Sequence, residues 1–327
     1  MRFRLFALAL SASLCLFGAS ACRADQTGSF HRTFTVNGPV SLQISTRAGD
    51  IHVTGAAGSA VTVDGTIHQS WSLLGGNDPH AIRDIENNPP VEQTGNTISI
   101  RGLHHGWNDH VWISYVITTP PNTRLDAHSG SGDINVAGLS GSAELGAGSG
   151  DLQVANLGGN LRAQTGSGDI SFDHIRGEAR LSAGSGTIEG SDVGGHFSAD
   201  TGSGDVRVQR LQQGAEVHTS SGDQELRGVS GDLSAHASSG TIRTDGQLDG
   251  AHRWNLSASS GDITISLPAQ TAANVRLETS SGSMEVHHSS RSLGQLGRHV
   301  WQGVMGSASS TAADLTIRTS SGDIRVN

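Results

Sequence analysis

The sequence predicts an all-β protein: a parallel β-solenoid, right-handed and β-helix-like, with coils of about 18 residues and two short helical insertions. Three observations predict it. Ser-Gly followed by a short polar residue forms a series of ten motifs, ending at Asp133, Asp151, Asp169, Thr187, Asp205, Asp223, Thr241, Asp262, Ser283 and Asp323. From Asp133 to Thr241 the step is 18 residues every time, the mark of stacked like units. Beside the motif, large and small apolar residues exchange places in each successive coil, as stacking requires.

Within a coil, the second position after the motif glycine holds Ile134, Leu152, Ile170, Ile188 and Val206, and the fourth holds Val136, Val154, Phe172 and Val208. That period of two is a strand with one buried face. Leu139, Leu157, Ile175, Val193 and Leu211 follow at the seventh position, with Gly141, Gly159, Gly177 and Gly195 two residues later, which reads as a turn. A second alternating stretch carries the pairs Ala143/Leu145, Leu161/Ala163, Ala179/Leu181 and Phe197/Ala199. In-register parallel strands lie about 4.8 Å apart, so same-position side chains touch. A large residue above a small one keeps each layer at native packing density. One coil is therefore strand, turn, strand, turn. It is too short for a helical crossover. A hexapeptide helix also fails, because Ile134 is followed six residues on by Ser140 and then Gly146.

Ahead of the regular repeat, Leu42, Ile44, Gly49, Asp50, Ile51 and Val53 match the same columns, so the stack begins near residue 40. Residues 66–110 interrupt it. The spacing predicts a helix over 78–88, with Asp78 as cap and Pro79 in its first turn. Strands over 97–101 and 111–118 follow. A second interruption, 287–310, carries Leu293, Leu296, Val300 and Val304 at helical spacing beside Trp301, and predicts a helix covering an open end of the stack. The organisation is thus a leader over 1–21, an N-terminal β region over 25–124 with the insertion 66–110, and a regular solenoid over 125–327 with the insertion 287–310.

The leader has Arg2 and Arg4 before an apolar run from Leu5 to Phe17, the layout of an export signal. Cleavage after Ala21 fits the small residues Ala19 and Ala21; Ala24 is a second candidate. Ala19-Ser20-Ala21-Cys22 resembles a bacterial lipobox, with Ala19 where Leu is usual. Two processings stay open: plain secretion, and lipidation of Cys22. Cys15 leaves with the leader, so the exported chain has no internal disulfide. The expected location is the periplasm, the outer membrane by a lipid anchor, or the cell surface.

All 21 basic residues are Arg, so lysine chemistry is excluded. Removing the leader leaves 19 Arg against 30 acidic residues, a poor balance for binding nucleic acid or an anionic membrane. A membrane contact is expected only through a lipid at Cys22.

The Asp column invites two readings. Stacked carboxylates about 4.8 Å apart repel by roughly 1 kcal/mol even in water. Turn amides just after the glycine can offset this, or calcium shared between coils can. Thr187, Thr241 and Ser283 make the turn bond but are poor calcium ligands, which favours turns. The ten-Ser column Ser131 to Ser321 reads as a hydroxyl ladder between coils, since no His–Asp pair attends it. His104, His105 and His110 gather beside Trp107, Asp109 and Trp112, the one crowding of ligand-type and aromatic side chains. They form a candidate ligand patch for a metal or a sugar, against the plainer reading of a solvated loop. Asp173, Asp192 and Asp200 could serve as acids in a carbohydrate-active enzyme, though nothing in the sequence singles them out.

The Ser-Gly-Asp-Ile runs resemble the bacterial putative-adhesin family, a β-strand-repeat domain of unknown function. So do Val40, Leu42 and Ile44 leading to Gly49 and Asp50, the run Val91, Gln93, Gly95, Ile98 and Ile100, and the join Ile117, Pro120, Asn122 and Leu125. The resemblance covers about residues 33–327. It implies a β-solenoid in the envelope or at the cell surface, with no catalytic residues to carry over. The expected function is a non-enzymatic scaffold or adhesin-like binding protein without cofactors, whose partner is an envelope glycan or a surface protein. The alternatives are a carbohydrate-active enzyme and a calcium-stabilised repeat protein.

Overall fold

The structure, a computed structural model, describes residues 26–70, 80–103, 110–287, 290–295, 299–306 and 313–327. Cys22 and the leader therefore lie outside the described residues, as do Asp78 and Pro79. Two long sheets face each other, one of 14 strands and one of 15. Each regular coil contributes one strand to each. Strands that follow the motif, such as Ile134–Ala137 and Leu152–Leu157, form the motif sheet. Strands that precede it, such as Thr123–Ser129 and Ala143–Ala147, form the return sheet.

Neighbouring coils pair parallel and in register. In the return sheet Ala143 sits on Leu161, Leu161 on Ala179 and Ala179 on Phe197. Leu145, Ala163, Leu181 and Ala199 run alongside in the opposite phase. All of these are buried, and one continuous core runs between the sheets from Phe30 to Val326. Large side chains fill the space that alanines leave, so layer volume stays constant.

Coil order in space departs from coil order in sequence at both ends. The strands Val40–Thr46 and Ile51–Gly55 are each inserted one place inward. Thr97–Ile100 and Val111–Thr119 lie outside them. At the other end Ala313–Ser321 and Ile324–Val326 slot between coil 253–266 and coil 273–286. Every coil carries the same columns, so each can pair with any other, and the sequence does not reveal the order.

The ends are finished with antiparallel strands. At the N-terminal end Gln26–Thr35 pairs with Ala60–Gln69, which pairs with Val111–Thr119. A helix, Ala81–Asn87, packs its buried Ala81 and Ile85 against this end; His80 stands at its N-cap and makes no side-chain cap bond to the helix. The predicted strands appear as Thr97–Ile100 and Val111–Thr119.

The expected helix over 287–310 is corrected. Ser290–Gln295 and Val300–Met305 are strands of an antiparallel hairpin, the second paired with Ala273–Ser281. Leu296 lies outside the described residues. The free amides and carbonyls of a sheet edge are satisfied by an added strand and not by a helix, so tertiary pairing overrides the helical spacing.

Candidate ligand-binding face

The motif corner accounts for the repeated residues. Each motif glycine packs on the glycine of the preceding coil. A Cβ added to Gly168 would overlap the Gly150 carbonyl oxygen, and one on Gly186 would overlap that of Gly168. Each Asp carboxylate then accepts a hydrogen bond from the backbone N–H of the next coil. Asp133 accepts from Asp151 at 2.9 Å, Asp151 from Asp169 at 2.8 Å and Asp169 from Thr187 at 2.7 Å. Asp205 and Asp223 form a second run that ends at Thr241. Asp262 and Asp323 form a third, ending at Ser283 in spatial order. The amide dipole offsets the like-charge repulsion, and a residue without a carboxylate closes each run.

The hydroxyl ladder is not where the Ser column put it. Ser131 to Ser321 are exposed at all ten coils. The residue two places ahead of the Ser does the bonding from the buried face. The Thr165 hydroxyl accepts from the Gly168 amide at 3.1 Å and donates to the Gly150 carbonyl at 3.0 Å. Thr201 repeats this for Gly204 and Gly186, and Thr319 donates to Gly261. The exposed corner leaves the Ser side chain no stacked neighbour it must bond.

The far end of each motif strand is built differently. Six positions after the motif glycine the chain turns through positive φ. Gly138 and Gly228 occupy that position in two coils, with φ +73° and +62°. In the four coils between them stand Asn156, His174, Asp192 and Arg210, with φ between 56° and 59°. Left-handed backbone costs an L-residue about 1–2 kcal/mol, less for Asn and Asp. Four adjacent coils thus carry polar side chains where glycine would be relaxed, and such outliers concentrate at functional sites.

Three of these side chains, those of His174, Asp192 and Arg210, meet. Arg210 clamps Asp192 through Nε at 2.5 Å and Nη2 at 2.7 Å. His174 places Nδ1 2.5 Å from Asp173 and Nε2 3.5 Å from Asp192. Ser191 donates to Asp173 at 2.5 Å. The Ser191 bond holds the Asp173 carboxyl below its usual pKa, with His174 assisting. The Arg210 bond does the same for Asp192, and raises the arginine in return. Asp192 is 23% exposed; Asp173 and His174 are half exposed or more.

Depressions lie on both sides of this row. One, about 580 Å³, is lined by Asp173, Ser191, Arg207, Arg210 and Arg227. It shares Ser171, Phe172 and Asp173 with a shallower one of about 370 Å³ that continues to His52. On the other side, about 610 Å³ is bordered by Asn156, His174, Arg176, Asp192 and Gln212.

Among the described residues, Asp173, His174 and Asp192 are the group whose donor atoms could share a metal, all lying within 4.8 Å of one another. Arg210 occupies both oxygens of Asp192, so an ion would have to displace a bidentate guanidinium. Nor is this a nucleophile triad, because the Ser191 hydroxyl donates to a carboxylate and not to the imidazole.

Of the sequence candidates, Asp173 and Asp192 come together, while Asp200 lies on the return sheet beside Ser182 and His218. His104, His105, Trp107 and Asp109 lie outside the described residues. His110 and Trp112 are half-buried; Trp112 stacks on His68, with ring centroids 5.3 Å apart and planes 12° apart. His174 and Arg210 were missed. The signal available was a non-glycine residue in a column that holds Gly55, Gly138, Gly228 and Gly246 in other coils.

The model of one protein family, Toastrack DUF4097, matches residues 158–327, just over half of the chain. The chain belongs to the Toastrack DUF4097 family. Its β-repeat domain is of unknown function, and the resemblance to putative adhesins agrees with it. A structure named a putative adhesin from Parabacteroides distasonis is similar at 13% identity and TM-score 0.44, covering 91% of this chain and 97% of that one. A putative adhesin from Bacteroides fragilis gives 14% and 0.28, covering 92% and 97%. A putative cell adhesion protein from Clostridium sporogenes gives 12% and 0.26, covering 92% and 99%. No curated protein matches the chain.

Proposed function

We propose that this Toastrack chain is an exported, non-enzymatic, adhesin-like binding protein of the bacterial envelope, engaging its partner through the outer face of the motif sheet. The partner is an envelope glycan or a surface protein. The observation that carries the reading is the row Asn156, His174, Asp192 and Arg210, set at strained positions between depressions on a rigid sheet. In this reading the coils wind right-handed, as parallel crossovers do. The chain sits in the periplasm, on the outer membrane through a lipid at Cys22, or at the cell surface. The patch His104, His105, Trp107, Asp109, His110 and Trp112 supplies a second contact, since Trp112 belongs to the same sheet.

A carbohydrate-active enzyme would need one protonated and one ionised carboxyl. Asp173 and Asp192 are both pushed toward the ionised form, so neither serves as a general acid near neutral pH. The calcium alternative is weakened because the Asp column spends an oxygen of each carboxylate on an amide.

The test is capture from a native envelope preparation. Replacing Asn156, His174, Asp192 and Arg210 together by Gly is expected to abolish capture while the chain stays folded by circular dichroism. Capture equal to that of the unaltered chain overturns the reading. The mass of the mature N-terminus decides between secretion and lipidation.

A further inference from the structure

We infer that the outer face of the motif sheet holds a linear polysaccharide laid along the stack axis, across the strands. This rests on the reading of the chain as a binding protein and names its ligand class. The two depressions that share Ser171, Phe172 and Asp173 form one groove from His52 to Arg227. It crosses seven neighbouring strands, so its length is roughly 29 Å at ~4.8 Å per strand. Small residues make the room: Ala137 and Ala155 beside Asn135 and Gln153, then Gly190 and Ser191. The strained row stands along its side.

The backbone beneath the groove offers an extended peptide no edge for strand addition. Such a peptide binds by adding a strand to a free edge. Each of these strands is already paired on both sides. Recognition must therefore come from side chains alone. Those at the third position after the motif glycine are Asn135, Gln153, Ser171, Glu189, Arg207 and Glu225, paired in one register line. They offer donors and acceptors at every step, with little net charge. A polyphosphate finds no free arginine among those lining the groove, since Arg207, Arg210 and Arg227 are each held by a carboxylate, Asp205, Asp192 and Glu225. The apolar floor at Ala137 and Ala155 is short and is flanked by the amides Asn135 and Gln153, which suit a sugar ring with its hydroxyl rim better than an acyl chain. A polyhydroxylated chain supplies matching donors and acceptors at each step and needs no charge.

The experiment is affinity electrophoresis of the exported chain through gels cast with soluble linear glycans: glycol chitin, hydroxyethyl cellulose and dextran. At least one is expected to retard the chain. Ala155→Trp, which fills the groove, is expected to abolish the retardation. The double substitution Asn135→Ala and Gln153→Ala is expected to weaken it about tenfold, the scale of two lost hydrogen bonds. No retardation by any glycan overturns the inference, as does equal retardation of the chain and both variants. If Ala155→Trp melts early, the double substitution decides. Envelope capture is measured in parallel. Capture that protease treatment of the envelope destroys, with no glycan retardation, means a protein partner: the glycan inference falls and the binding-protein reading stands.

Discussion

From the coil of Gly132 to that of Gly222, each motif strand starts at a corner and finishes where the backbone bulges through positive φ, and the two ends are made from opposite kinds of residue. At the corner, glycine is required by the carbonyl of the neighbouring coil, and Asp by that coil's amide. At the bulge, positive φ favours glycine, yet four consecutive coils carry Asn, His, Asp and Arg. Polar residues repeated in every coil belong to architecture. Polar residues that break a glycine column, at a cost in backbone energy, mark the place to look for function.

The sharpest way to break this comparison is Gly186→Ala. The new Cβ would collide with backbone, which cannot move without displacing a whole coil. A loss of more than about 3 kcal/mol is expected in urea unfolding. A loss below about 1 kcal/mol would mean that the corner is looser than its packing implies. Next in size is Asp169→Ala, which leaves the Thr187 amide without its carboxylate and should cost about 1 kcal/mol.

Acid titration sharpens the contrast with a smaller effect. Asp323 at the corner is lowered chiefly by the Ser283 amide, and Asp192 at the bulge chiefly by Arg210. A depressed folded-state pKa means stability that is present above the ordinary carboxylate value and is lost as pH falls through the folded value. The chain should therefore lose stability below about pH 4. Asp323→Asn and Asp192→Asn should each make that loss shallower, read as melting temperature against pH. An unchanged acid limb in both would remove the carboxylate–partner account.

The smallest effect has the opposite sign. Asn156→Gly removes left-handed strain and should stabilise the chain by less than about 1 kcal/mol, since Asn tolerates this conformation best among the four. A destabilising result would mean that the Asn side chain holds the bulge, and that strain is not its mark.

Much of the fold was legible because its columns repeat. Leu161 against Ala179 and Leu181 against Ala163 compensate in volume only if coils stack in register. The helix over 287–310 was misread because Val300 and Val304 fit helical spacing, while the free edge of Ala273–Ser281 decided for a strand. The Ser column misled because it repeats perfectly yet faces solvent, and the bonding hydroxyls sit on the less regular Thr165 and Thr201. The candidate site was half legible. Asp173 and Asp192 were named without a reason to join them. They meet only because residues 18 or 19 apart become neighbours when coils stack.

By itself the sequence determined the coil length, the register and the buried faces, because period and volume compensation are local to each column. The tertiary structure alone decided the order of the outermost coils and the hairpin that closes one end. It also brought Asp173, His174, Asp192 and Arg210 together. Coils with identical columns are interchangeable on paper, so only packing in space selects among their neighbours.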